Sequence, residues 1–144
     1  MSTDQRFRIA AGVDGSRLSE LALAWAITEG RLRSGTVRVL TAWEYPLVVA
    51  GMEGVLDDSN VEAAARHTQM VVLGKVPHEG VDVTAEVVHG SGSAVLIDAS
   101  KQADLVVVGS RGYGGFTGLL LGSVSTQVLH HAACTVMVVR DRRH

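Results

Sequence analysis

A single cysteine, Cys134, leaves this chain without the means for an intrachain disulfide and suits a reducing compartment. Cys134 opens an apolar run, where it reads as a small buried hydrophobe rather than a nucleophile. Basic charge is also scarce. The net charge is −2, so no overall positive field argues for nucleic acid or anionic lipid. Arg140, Arg142 and Arg143 gather at the end and read as a solvated tail. No apolar run approaches the roughly 20 residues needed to cross a bilayer. Residues Met1 to Arg8 are polar, without the apolar heart of a signal peptide, so a cytoplasmic protein is expected. Aromatic residues make up only 4% of the chain and prolines number two.

The standard phosphate-binding fingerprints are missing too. Neither G-x-G-x-x-G nor G-x-x-x-x-G-K-[ST] occurs, which disfavours a Rossmann dinucleotide site and a Walker loop. His130 and His131 are adjacent, and neighbours on a helix point about 100° apart, so they cannot face one ion. His67, His78, His89 and His144 have no ligand spacing, and zinc is not expected. Trp43, Tyr45, Tyr113 and Phe116 could sandwich a flavin, but in so aromatic-poor a chain they read better as loop anchors. No serine–histidine–acid set or carboxylate pair can be tied to one pocket, so no catalytic residue is assigned.

What is present is a soluble globular composition, 47% apolar and 19% charged, over 144 residues. That is enough for one domain spanning 1–144. Strand-like and helix-like segments alternate along it. Phe7 to Val13 is apolar and ends in Asp14-Gly15-Ser16, where Ser16 can cap a helix. Leu18, Leu21, Trp25 and Leu32 mark that helix by their spacing, and Gly35 follows its end. Val37 to Ala42 is rich in β-branched residues. Trp43 to Asp57, with Pro46, Gly51 and Gly54, shows no period and reads as a loop. Ser59 to Glu62 resembles a capping box before a helix that stops near Gly74. Val81 to Val88 alternates as a strand, and Ser93 can cap a helix over Ala94 to Gln102. Leu105 to Val108 is wholly aliphatic, as in a parallel sheet covered on both faces. Gly122 to Ala132 has the length of a fourth helix, and Thr135 to Val139 forms a fifth strand. The βαβαβαβαβ pattern implies an α/β fold, an open parallel sheet with helices on both faces.

The stretch from Gly109 to Ser125 is the informative one. Six of its seventeen residues are glycine, and it runs from the carboxyl end of a buried strand into a helix. Ligands of open α/β sheets collect outside those strand ends. Glycines let backbone N–H groups approach a ligand closely. The helix start, with Ser123 and Ser125, suits a phosphate, and Arg111 can add a positive charge.

Within this stretch, Gly109-x₂-Gly112-x₉-Gly122-Ser123 resembles the ATP-binding signature of the universal stress protein family. Gly12-Val13-Asp14-Gly15-Ser16 looks like the family's first-strand end, and 103–109 and 136–139 like its last two strands. Gly92, Ala133 and Thr135 depart from prolines common in relatives, which is expected to affect loop stiffness away from the glycine signature. The resemblance implies strand order 3-2-1-4-5, an adenine nucleotide alpha hydrolase-like fold, with ATP and Mg²⁺ at the reversal between strands one and four. Carried onto this chain, the site comprises Gly12, Val13, Asp14 and Ser16, with Asp14 near the metal. Ala42 lies against adenine. Val108, Gly109, Ser110, Arg111 and Gly112 follow strand four, and Gly122, Ser123, Val124 and Ser125 open helix four. In that order Thr135 to Val139 is an edge strand, apolar on both faces, and a homodimer through it is expected. The leading expectation is a nucleotide-dependent stress-response or regulatory module that binds no nucleic acid or membrane. The alternatives are a slow ATPase or adenylyl-transferring enzyme of the same fold, or a flavin carrier. Gly12 to Ser16 lacks the paired glycines of the adenylating relatives.

Overall fold

The computed structural model describes residues 5–44, 58–112 and 121–141. Tyr45, Pro46, Gly51, Gly54, Tyr113, Phe116, Arg142, Arg143 and His144 lie outside these residues, as does 113–120 of the glycine-rich stretch. Among the described residues nine elements alternate: β1 (Arg8–Gly12), α1 (Arg17–Leu32), β2 (Thr36–Trp43), α2 (Asp58–Lys75), β3 (Asp82–His89), α3 (Gly92–Ser100), β4 (Leu105–Gly109), α4 (Ser123–His131) and β5 (Thr135–Val139). The strands form one parallel sheet in the order β3-β2-β1-β4-β5.

Strand alternation divides the core in two. Ile9 and Ala11, Val37 and Val39, and Leu105 and Val107 point to the face covered by α1 and α2. Ala10, Leu40, Val106 and Val108 point to the face covered by α3 and α4. β4, with a neighbour on either side and helices above and below, is buried at every residue, which is why it tolerates only aliphatic side chains. Among the described residues β3 has one neighbour, and it keeps Asp82 and Thr84 exposed. Its register on β2 is pinned where the Arg38 guanidinium donates from Nε and Nη2 to the two carboxylate oxygens of Glu86. That pair raises the Arg38 pKa and lowers that of Glu86.

Of the stripe that marks α1 in the sequence, Leu18 and Leu21 are half-buried and Leu21 packs against the core, but the face that α1 buries is mainly another. Ala22, Leu23, Ala26 and Ile27 lie against the sheet, whereas Trp25 is 50% and Leu32 75% exposed. The helix carries two apolar stripes, and the one rich in alanine wins because small side chains let the helix sit close to the strands. Ser16 caps α1 as expected, its Oγ accepting from the Ser19 N–H. Two expected caps are corrected. α2 begins at Asp58, so Ser59 lies inside its first turn. α3 is capped by Ser91 rather than Ser93, with Oγ accepting from the Ala94 N–H at 3.1 Å. The two-residue displacement starts α3 directly after β3, which brings its first turn to the carboxyl ends of the strands.

Candidate functional site

At those carboxyl ends a cleft of about 290 Å³ opens between the ends of β1 and β2 on one side and β4 and α4 on the other. Of the residues singled out in the sequence, Gly12, Val13, Asp14 and Ser16 line it from the β1 end. Ala42 lines it from β2, and Val108, Gly109, Arg111 and Gly112 from β4 and its exit. Gly122, Ser123, Val124 and Ser125 line it from the start of α4. Two segments about a hundred residues apart in the chain thus face each other because β1 and β4 are neighbours in the sheet.

Ser110 behaves differently. It is buried and does not line the cleft. Its N–H donates to the Val139 carbonyl at 2.7 Å, and its carbonyl accepts from the Gly122 N–H at 2.6 Å and the Ser125 hydroxyl at 2.9 Å. Ser110 therefore ties the exit of β4 to β5 and to the start of α4. Ser125, also buried, is spent on the same tie and on the Gly122 carbonyl.

The three signature glycines serve three different purposes. A Cβ on Gly109 would lie 3.0 Å from the backbone carbon of Leu18, so this glycine lets β4 and α1 touch. A Cβ on Gly112 would collide with Oδ2 of Asp14, so this one leaves room for a carboxylate. Gly122 stands at the N-cap of α4 in extended backbone and offers no side-chain cap. The early N–H groups of α4 therefore have no cap of their own making, in a wall of the cleft. Asp14 is held opposite, its Oδ1 accepting from the N–H of Ser16 at 2.9 Å and from its hydroxyl.

The cleft is polar at one end and apolar at the other. Asp14, Ser16, Arg111 and the α4 start make the polar end. Leu40, Ala42, Val95, Leu96 and Val108 make the apolar end. Sequence reading missed Leu40 and Glu44, although both share the strand alternation of Ala42. It also missed Gly90 and Leu96, and Trp43, expected as a loop anchor, lines the cleft as the last residue of β2. Gly92 is a correction: it is not away from the glycine signature but lines the same cleft, where a Cβ would come within 3.3 Å of Val124. The departure at Ala133 has a use as well. Its N–H donates to the buried Ser100 hydroxyl at 2.8 Å, a bond that proline could not make. Trp43 rests on His89 with ring centroids 4.6 Å apart, and its indole N–H is enclosed without a partner among the described residues. Burial, with Asp104 nearby, pushes the Cys134 thiol up, the reverse of what a nucleophile requires.

An open parallel sheet whose cleft lies where the strand order reverses is the ligand-binding class of doubly wound α/β domain. Residues 6–140 match the model of the universal stress protein family, and the chain belongs to that family. It is 39% identical over 139 residues to a universal stress protein of Mycobacterium tuberculosis, covering 95% of this chain and 46% of the relative. To one from Mycolicibacterium smegmatis it is 34% identical over 139 residues, covering 96% and 47%. The chain thus spans about half the length of these curated relatives. Among solved structures it shares its fold with UspA of Lactobacillus plantarum (TM-score 0.73, 22% identity, 96% of this chain and 100% of that one). It also resembles the Archaeoglobus fulgidus universal stress protein in complex with dAMP (0.68, 22%, 92% and 97%). A third is an Arabidopsis thaliana member with AMP bound (0.63, 19%, 94% and 92%). Among the described residues, no helix is long and apolar enough to cross a membrane.

Proposed function

We propose that the chain binds ATP with Mg²⁺ in this cleft and acts as a nucleotide-dependent stress-response or regulatory module of the cytoplasm. The observation that carries the reading is the start of α4, where Gly122 supplies no cap and the helix's early amides line a cleft that also holds Arg111. A phosphate would take the place of the missing cap, with the helix dipole in its favour. The apolar end, with Ala42 and Leu40, suits a purine ring. The relatives solved with dAMP and AMP support an adenine nucleotide.

Mg²⁺ binds through one or two carboxylates together with substrate phosphates and water. The polar end fits that chemistry, since Asp14 brings a single carboxylate there. Among the described residues no group of three or more His, Cys, Asp and Glu could hold an ion alone, so the metal would arrive with the phosphates. Bound, it would screen their charge. Asp14 would orient it, Arg111 would meet a phosphate oxygen, and the apolar walls would exclude water from the base. No residue is assigned to catalysis, and hydrolysis is expected to be slow at most.

The test is to denature the purified protein, identify any released small molecule by mass spectrometry, and titrate ATP and GTP by calorimetry with Mg²⁺. ATP binding at micromolar level, tighter than GTP, is expected. No released nucleotide and no heat with millimolar ATP would remove the proposal. We further propose a homodimer through β5, which among the described residues pairs only with β4 and has an apolar sequence from Val136 to Val139. Val138→Lys should give a monomer by sedimentation that still binds ATP. A wild-type monomer at tens of micromolar would refute the dimer.

A further inference from the structure

Alternation along β2 puts Leu40, Ala42 and Glu44 on the same side of the strand. Leu40 and Ala42 belong to the core cluster beneath α3 and α4 and line the apolar end of the cleft. Glu44, one residue past the strand, continues that row at the rim. Asp14 and Glu44 are the two acidic residues among those that line the cleft. Asp14 sits at the polar end, engaged by Ser16. Glu44 is exposed, and its carboxylate has no ion pair or hydrogen bond among the described residues. Leu40 and Ala42, which share its row, have no side-chain group that could hydrogen-bond to a ring edge.

An ionised carboxylate only accepts hydrogen bonds. Placed against the 6-substituent of a purine, away from N1, it favours an amino group and repels an oxygen. Resting on the nucleotide reading above, we propose that Glu44 is the base-selecting residue, accepting from the 6-amino group of adenine and excluding 6-oxo purines. A ligand stretched from the α4 start past Ala42 would bring its base edge, rather than its sugar, to the rim of β2. Discrimination of this kind is larger than an apolar wall supplies, because the wrong partner leaves the charged acceptor facing another oxygen.

ATP and ITP differ at the 6-substituent and at N1, which carries a hydrogen in ITP, so a contact at position 6 favours ATP and one at N1 favours ITP. Calorimetric titration of ATP, ITP and dATP into the wild type and Glu44→Gln tests it, with thermal melts to check that the exposed substitution leaves the fold intact. The wild type should prefer ATP to ITP by about tenfold or more. Glutamine can donate as well as accept, so the variant should bring the two within about threefold of each other. An ATP-to-ITP ratio unchanged in Glu44→Gln would overturn the assignment while leaving nucleotide binding standing. A change in the ATP-to-dATP ratio alone would overturn it in favour of a ribose contact. A wild type that binds neither triphosphate would remove the nucleotide reading itself, and this assignment with it.

Discussion

Two helices, α3 and α4, are each nine residues long, pack against each other, and start at the same end of the sheet, yet their first turns are solved in opposite ways. α3 is finished by its own chain, with the Ser91 hydroxyl accepting from the Ala94 N–H. α4 starts from glycine and has no side-chain acceptor. A capped helix start is stable and has little to offer an anion. An uncapped one that starts from glycine forgoes only about a few tenths of a kcal/mol of capping and keeps its donors for a partner. Both starts line the cleft, so the difference divides it into a structural wall and a phosphate-facing wall.

The largest effect is expected from giving α4 its own cap. Gly122→Asp places an acceptor and a negative charge where a phosphate would sit. ATP affinity by calorimetry should fall about a hundredfold, as loss of charged hydrogen bonds implies. The backbone at Gly122 is extended and accepts any residue, so the melting temperature should hold or rise by the value of a cap, less the crowding of a Cβ 3.3 Å from the Arg111 Cα. Equal ATP affinity in variant and parent would show that the open start of α4 is not used. The reverse experiment is Ser91→Ala, which removes the cap of α3. It should lower unfolding free energy in urea by about 1 kcal/mol and leave ATP affinity nearly unchanged. A loss of affinity as large as that from Gly122→Asp would erase the distinction between the walls. The smallest effect is expected from Ser123→Ala. Ser123 lines the cleft, but the backbone donors remain, so affinity should fall by less than about fivefold.

The alternation of strands and helices was legible because β4 is wholly apolar and β5 has no breaker, whereas the strand order came only from the resemblance to the family. The site was legible in its polar half, where glycine spacing and an aspartate stand out against a plain background. Its apolar half was legible only at Ala42 and Val108, carried over by the resemblance. Leu40 and Leu96 look like any core leucine, and only packing decides that their far sides form a wall. Glu44 falls inside the stretch that shows no period, so the alternation that carries Ala42 to the cleft was not followed as far as this residue. The cap of α3 was misplaced by two residues because Ser91 and Ser93 offer the same chemistry, and the choice depends on where β3 releases the chain. In α1 two apolar stripes competed, and periodicity alone does not say which one meets a sheet.

Gly92 illustrates a further cost of local reading. A missing proline suggested stiffness, but the residue's importance lies in space, beside Val124. Ala133 shows the opposite, a departure that gains an amide bond to Ser100.

The two tryptophans occupy unlike settings, and that makes the protein its own optical instrument. Trp25 is half exposed on the outer stripe of α1, so its emission should be red-shifted and readily quenched by iodide. Trp43 lies in the cleft wall with His89 against its ring and its indole N–H enclosed, so its emission should be bluer and shielded. Replacing Trp25 by phenylalanine would remove the solvent signal and leave one fluorophore at the rim of the cleft. Occupancy could then be followed in real time on the unlabelled protein.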